Sequence, residues 1–456
     1  MTMSGNSALQ DMFEAPGAAD LVADGVRLSA TALHHGANDW ARALRRAGIA
    51  RGDRVVCALP NGAAFVQLLA ATLADGITLA PVPEREDVVP LLGQLDARLA
   101  VALHSSHPNV AVPARTGGPP GSPLQPQRAL QRTDTLAFLL RSSGTMGSAR
   151  WIGLSDTGVL AVLSSHLPHL AVEGECVHGI LPWHHAFGLV LGLLPALLRA
   201  RRIVVTAAPA RTADAIVGVA RAQDVTHLSM VPLTVMRLAA QDDGLALLRR
   251  VHGGIVGGAA IDTALVPILA GTRLRVGYGQ TEASPGIMLG DPGEFRPFIL
   301  GRPVGCEVRI EADGVLSFRG PNACAGTWEH GSFHALDPDR WHRTDDRVTI
   351  EGGVYVHRGR ASLSFKLANG TQVDVATLEH TIREALPQVS EVVLTSGDGR
   401  SIDVLHSTAD GVSAEAAVRA RLGTLQSWVQ AVRLVPADRW VRTPKGEIDR
   451  QRLPQP

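Results

Sequence analysis

Lysine is nearly missing from this chain of 456 residues: Lys366 and Lys445 are the only two. So strong an arginine bias reflects base composition more than function, and it singles out each surviving lysine for scrutiny. Net charge is missing too. Lys+Arg and Asp+Glu both number 43, which argues against a nucleic-acid surface or an acidic tail. Cysteine is scarce. Cys57, Cys176, Cys306 and Cys324 are widely spaced and form no metal or redox pattern, so they are expected to be core or incidental thiols in a reducing compartment. No apolar run is long enough to span a bilayer: the longest, residues 186–198, holds Gly188, Gly192 and Pro195. The opening MTMSGNSALQDMFEAPG has no basic segment leading into an apolar one, so no signal peptide is expected. These absences point to a cytoplasmic enzyme with neither nucleic acid nor membrane as partner. Its length and 45% hydrophobic content call for two or three domains.

What is present is organised around residues 141–152, RSSGTMGSARWI, which follow an apolar run at 136–140 that reads as a buried strand. Gly144 and Gly147 alternate with Ser142, Ser143, Thr145 and Ser148, and Arg150 closes the stretch. Glycines let a backbone approach a ligand closely, and successive N–H groups with hydroxyls form an anion-binding concavity. A polar surface turn is the alternative. The pattern is not GxxxxGK[ST], so the common phosphate loop of nucleotide hydrolases is excluded.

The rest of the chain alternates strands and helices. Ser29 can cap a helix over 30–46, with Leu33, Ala37, Trp40 and Leu44 on one face. A strand at 53–59, a helix at 63–73 and a strand at 77–81 form a βαβ unit. A helix is expected over 84–99, and a Pro-rich connection over 108–134. Next come a helix at 154–167, a strand at 176–182, a strand at 201–207, a helix at 213–222, a strand at 227–230 and a helix from Pro232 toward Leu248. Beyond 363 the pattern gives a helix from Val375, strands near 391–394 and 403–406, a helix at 413–422 and a strand at 429–435.

Several stretches carry chemistry. His184 and His185 follow a strand beside Phe187; adjacent histidines rarely face one ion, so packing is expected rather than metal ligation. In Tyr278, Gly279, Gln280, Thr281 and Glu282, a ring can stack on a purine, a hydroxyl can reach a phosphate and a carboxylate can hold Mg2+.

In this order the stretches resemble the acyl-adenylate-forming enzymes: acyl-CoA synthetases, aryl acid ligases and peptide-synthetase adenylation domains. SSGTMGSAR is similar to [ST]SGTTGxPK, with Met146, Ala149 and Arg150 replacing threonine, proline and lysine. LPWHHAFGL is similar to LPLFHxxGL, Gly257-Gly258 to the start of GGAPL, and YGQTE matches YGxTE unaltered. WHRTDD resembles WxxTGD with Asp345 in place of glycine, Arg360 matches a family arginine, and the family's hinge residue is Ser362 here. VRTPKGEIDRQRL resembles PRTxxGKIxRxxL, with Glu447 at the lysine position and Lys445 two residues before it.

The resemblance implies an α/β protein: a large multi-sheet domain at 1–361 that binds ATP and carboxylate, and a smaller mobile α+β lid at 362–456. ATP and Mg2+ are the implied cofactors. Ser142, Ser143, Gly144, Thr145 and Gly147 would hold phosphates, with Arg150 neutralising charge. Gly258, Tyr278 and Gly279 would meet adenine, Thr281 the α-phosphate, Glu282 the metal, and Asp346 with Arg360 the ribose. His184, His185, Phe187, Gly257 and Ala259 would border the acid, while Lys445 and Glu447 would bear on adenylation. The implied activity is conversion of a small-molecule carboxylic acid to an acyl- or aryl-adenylate, followed by transfer to CoA or to the phosphopantetheine arm of a carrier protein. An aromatic or small acid of a specialised biosynthetic pathway is favoured. The alternative is a nucleotide-binding relative with weakened adenylation that acts through a partner protein.

Overall fold

A computed structural model describes residues 19–114, 117–127, 136–142, 150–206, 212–363, 365–367, 369, 371–373, 375–396, 401–443 and 448–454. The chain divides into two compact units, residues 1–307 with 319–342 and residues 308–318 with 343–456. The fold class is the expected one: a large mixed α/β N-terminal region of several sheets and a smaller C-terminal domain of α+β content.

In the larger unit, Ser29 sits in extended backbone and its hydroxyl accepts the Ala32 N–H at 3.2 Å, starting the helix Ala30–Arg46 where the sequence places it. That helix buries Leu33, Ala37, Trp40, Ala41 and Leu44. It packs on the helix Ala63–Ala74, and the Trp40 indole N–H reaches Gly117 O at 2.9 Å. An eight-stranded sheet runs in the order Ser332–Ala335, Gly326–Glu329, Trp151–Ser155, Leu136–Arg141, Thr78–Pro81, Arg54–Ala58, Leu99–Ala102, Val110–Ala111. Its Arg54–Ala58 and Thr78–Pro81 strands pair in parallel across the intervening helix, as a βαβ unit requires.

A second sheet has the order Val26–Leu28, Asp20–Ala23, Arg202–Val205, Cys176–His178. One hydrophobic core joins the two sheets, with Leu21, Val177 and Ile203 packed in the same cluster as Val55, Leu79 and Leu99. Each fully buried aliphatic side chain there contributes about 1.5–3 kcal/mol.

Two expected helices differ. Over 84–99 only Val89–Gln94 is helical; Pro90 fits the first turn, but Gly93 ends the segment within two turns, and Asp96 takes a positive φ of 47°. The long helix from Pro232 is two, Pro232–Ala239 and Asp242–Arg250. A Cβ on Gly244 would lie 2.1 Å from Leu238 O, so the chain folds back on itself there. The helix expected from 154 begins at Asp156, because Trp151–Ser155 is a strand.

The smaller unit contains the antiparallel pair His342–Glu351 and Val354–Arg360, the helix Val375–Ala385, and a sheet with Ile402–Thr408 between Val389–Thr395 and Val429–Leu434. A separate core of Val373, Ile382, Val392, Val404 and Val418 gathers residues from Leu363 onward. The four cysteines are unbridged. Burial pushes the Cys57 and Cys324 thiols up to about 12 and Cys306 to about 11, so they are inert at neutral pH. Among the described residues no helix is long and apolar enough to cross a membrane.

Candidate active site

The second sheet continues through parallel bridges into the rest of the larger unit. Asp20–Ala23, Arg202–Val205 and Cys176–His178 pair in parallel. Val177 bridges His227, His227 bridges Gly253, Met230 bridges Val256, and Ile255–Gly257 pairs in parallel with Arg275–Tyr278. The carboxyl ends therefore share one edge, the place where open parallel sheets bind ligands. Three of the stretches singled out from sequence leave that edge: Gly179–Gly188, Gly257–Ala259 and Tyr278–Glu282.

Asn61, between the expected strand at 53–59 and helix at 63–73, fastens the first of these. Its Nδ2 donates to Gly179 O at 3.1 Å and Leu181 O at 2.7 Å, and its Oδ1 accepts the Trp183 N–H at 3.0 Å. Trp183 is buried against Phe65, ring centroids 5.4 Å apart. The next two residues thus start from a fixed point: the His184 and His185 rings lie 4.4 Å apart, His184 half-buried and His185 exposed. A Cβ on Gly188 would fall 2.2 Å from Pro182 O, so only glycine permits this fold-back. Phe187–Leu193 is π-helical, a departure found frequently at functional sites.

Gly257 lies flat on the neighbouring strand, where a Cβ would meet Gly277 O at 2.5 Å. Gly258, exposed at φ 85°, faces Val231 and Phe187; a Cβ there would be 3.6 Å from Val231 Cγ1 and 3.9 Å from Phe187 Cδ1. Phe187 and Gly258 are thus neighbours although far apart in sequence. Ala259 follows, half-buried. Behind this wall a cavity of about 20 Å3, lined by Gly188, Trp183, Leu191, His227 and Ser229, has room for about one water.

The Tyr278–Glu282 stretch folds back sharply. A Cβ on Gly279 would lie 1.5 Å from Pro285 O. Ile287 N–H returns to Tyr278 O at 3.1 Å, and Thr281–Ala283 is a single 3-10 turn. Neighbours hold the turn from behind. Cys324 N–H donates to Glu282 O at 2.8 Å, and Asn322 Nδ2 to Gly286 O at 2.7 Å. A Cβ on Gly286 would lie 2.5 Å from His166 Nε2. Burial lowers the His166 pKa to about 4, so it backs the turn as a neutral ring. Tyr278, Thr281 and Glu282 are half-buried and Gly279 is exposed.

Glu282 supplies a hard oxygen donor. Among the described residues no group of three or more His, Cys, Asp or Glu could hold a metal.

The organising stretch connects two antiparallel strands, Leu136–Arg141 and Trp151–Ser155. Ser142 N–H donates to Arg150 O at 2.8 Å and closes the hairpin. The Arg141 guanidinium lies 4.8 Å from the Trp151 ring centre and pairs with Glu86 at 2.9 Å. Ser142 is half-buried and Arg150 exposed, while Ser143, Gly144, Thr145 and Gly147 lie outside the described residues.

In the smaller unit, Asp346 is 9% exposed. Its N–H bonds Thr344 Oγ1 at 3.1 Å, and that hydroxyl donates to Leu316 O at 2.8 Å. Its Oδ1 lies 3.5 Å from Arg360 Nε and 3.1 Å from His357 Nε2. Arg360 is opposite Asp346 in the strand pair; His357 was not foreseen. Asp345 and Ser362, the two departures from the family pattern here, meet: Ser362 N–H donates to Asp345 Oδ1 at 2.8 Å and the Ser362 hydroxyl to Oδ2.

The tail closes on itself. Arg442 bridges Ile448, and Asp449 N–H donates to Val441 O at 2.8 Å. Arg450 pairs with buried Glu379 at 2.5 Å; burial raises the Glu379 pKa, with the Arg450 charge working against it. Lys445 and Glu447 lie outside the described residues.

A family model described as AMP-binding enzyme matches residues 10–326. Among similar proteins, a feruloyl-CoA synthase from Amycolatopsis sp is 25% identical over 377 residues, 75% of each chain. A p-hydroxybenzoic acid–AMP ligase from Mycobacterium tuberculosis is 26% identical over 496 residues, 96% of this chain and 65% of that protein. The solved structure of ATP-bound MatB from Rhodopseudomonas palustris superposes with a TM-score of 0.80 at 19% identity, covering 98% of both chains.

Proposed function

Because the chain belongs to the AMP-binding family of adenylate-forming enzymes, we propose that it activates an aromatic or other small carboxylic acid with ATP and passes the acyl group to a thiol. The observation that carries this reading is the shared strand edge from which His184–Phe187, Gly257–Ala259 and Tyr278–Glu282 all emerge. In the first step a carboxylate oxygen attacks the α-phosphorus, the bond to the β-phosphate bridging oxygen breaks, and pyrophosphate leaves. In the second a thiol attacks the carbonyl carbon, loses its proton, and displaces AMP. No covalent nucleophile of the protein is needed; alignment and charge neutralisation do the work.

The residue roles proposed are those the family resemblance implies. The Tyr278 ring and the Gly258 backbone flank adenine. Thr281 donates its hydroxyl to the α-phosphate. Asp346 and Arg360 take the ribose. Arg150 and residues 142–147 hold the departing phosphates. Mg2+, when bound at Glu282, supplies positive charge against the phosphates. His184, His185 and Phe187 border the acid. The ferulate and p-hydroxybenzoate in the names of two relatives agree with an aryl acid.

The acceptor is CoA or a carrier-bound phosphopantetheine. We place the start of the lid at Ser362, supported by the separate core from Leu363 onward, and propose that the lid moves between the two steps. Glu447 in place of a lysine favours a second reading, a nucleotide-binding relative with weakened adenylation. Acid-dependent pyrophosphate release across a panel of aryl and short alkyl acids separates the two: release supports the enzyme, and nucleotide binding without release supports the relative.

A further inference from the structure

We propose that His357 is a positioning residue that orients the Asp346 carboxylate for the ribose; this rests on Asp346 being the ribose acceptor. The backbone makes the arrangement possible. Asp346 is opposite Arg360 and Val348 is opposite His357, so two steps along one strand face three along the other. Without the extra residue, His357 and Arg360, three apart, would point to opposite faces. The bulge falls at Gly359, whose φ is 104°, and a bulge of this kind re-aims side chains. Both His357 and Arg360 then approach the same oxygen, Oδ1, at 3.1 and 3.5 Å.

A carboxylate can turn about its last torsion, and a diol gripped by a turning carboxylate loses part of its binding to ordering entropy. Two donors on one oxygen fix its plane before nucleotide arrives. A carboxylate oxygen only accepts, so Nε2 is the donor of this bond and its acceptor is charged. The His357 side chain is 19% exposed and that of Asp346 13%, so water competes weakly for the bond. Glutamine places an amide donor at similar reach, whereas leucine fills the space without one.

The test is calorimetric AMP binding to the full chain as wild type, His357→Leu, His357→Gln, Asp346→Ala and the His357→Leu/Asp346→Ala double variant, repeated with 2′,3′-dideoxy-AMP. His357→Leu should weaken AMP about tenfold, with His357→Gln within about threefold of wild type. The His357→Leu loss should vanish for the dideoxy nucleotide and when Asp346 is already alanine; a merely structural role would persist in both. If Asp346→Ala weakens AMP and His357→Leu does not, the positioning role is overturned while the ribose assignment stands. If Asp346→Ala leaves AMP binding unchanged, the ribose assignment fails and the positioning role with it. Should the leucine variant not fold, a His357→Gln protein that loses as much as Asp346→Ala overturns the proposal.

Discussion

Removing the Asn61 side chain should loosen the wall of the proposed acid pocket without touching it. Asn61 makes bonds of 3.1 and 2.7 Å to the carbonyls of Gly179 and Leu181 and accepts one of 3.0 Å from Trp183 N–H. A neutral hydrogen bond contributes about 1 kcal/mol net, so Asn61→Ala should destabilise the larger unit by about 3 kcal/mol. For a unit of this size that lowers the melting temperature by roughly 5 °C. Asn61→Asp keeps the acceptor for Trp183 but turns an oxygen toward two carbonyl oxygens, so it should be worse than alanine despite its nearly unchanged volume. Function should follow: the backbone that leads to His184 and His185 loses its fixed start, and the KM for the acid should rise more than that for ATP. Thermal melting and steady-state kinetics on the two variants read both effects. An aspartate variant as stable as wild type, or an alanine variant within 0.5 kcal/mol of it and unchanged in KM for the acid, would refute the reasoning (about half of one bond).

Other outcomes follow from the same geometry. Gly279→Ala forces a Cβ to within 1.5 Å of Pro285 O, so the turn must move; nucleotide affinity measured by calorimetry should fall by at least about tenfold, and an unaltered value would show that the turn is not part of the nucleotide site. Arg150→Ala should impair ATP use far more than AMP binding, since a guanidinium on the departing phosphates has no role once they are gone; equal losses would make Arg150 structural. Stability should fall with acid. Burial depresses His166 and His227 to about 4, so their contribution is complete above about 6.5 and is lost as pH falls toward 4. Burial raises Asp156 to about 6, which works the other way over the same range. The unfolded chain takes up two protons while the folded chain takes up one, a net loss of about 1.4 kcal/mol per pH unit between 6 and 4. Urea titrations at pH 6, 5 and 4 check it, and a flat profile would mean that these groups are not buried as described.

Much of this was legible in the residues because the signals were local. Ser29 and the spacing of Leu33, Ala37, Trp40 and Leu44 specify a helix by cap and period alone, and the structure has it at Ala30–Arg46. The fold was legible for another reason: motifs such as YGQTE need particular residue types at fixed short spacing. What failed or was missed depends on contacts made far along the chain. The break between Ala239 and Asp242 follows from Gly244 lying against Leu238 O, which no helical period reveals. Asn61 reads as a turn residue, yet its partners are Gly179, Leu181 and Trp183. His166 falls near the end of the helix expected over 154–167; its contact with Gly286 is tertiary. His357 was hidden by strand alternation, which the bulge at Gly359 overrides.

The measurement that bears most directly on the account is single-turnover formation of a mixed anhydride. Purified protein is mixed with α-labelled ATP, Mg2+ and each of a panel of benzoic, hydroxybenzoic, cinnamic and short alkyl acids, then quenched and resolved for acyl-AMP and pyrophosphate. The account predicts stoichiometric acyl-AMP and pyrophosphate with at least one aryl or small acid, lost in Asp346→Ala and Thr281→Ala. ATP bound with measurable affinity but no acyl-AMP formed from any acid would contradict it.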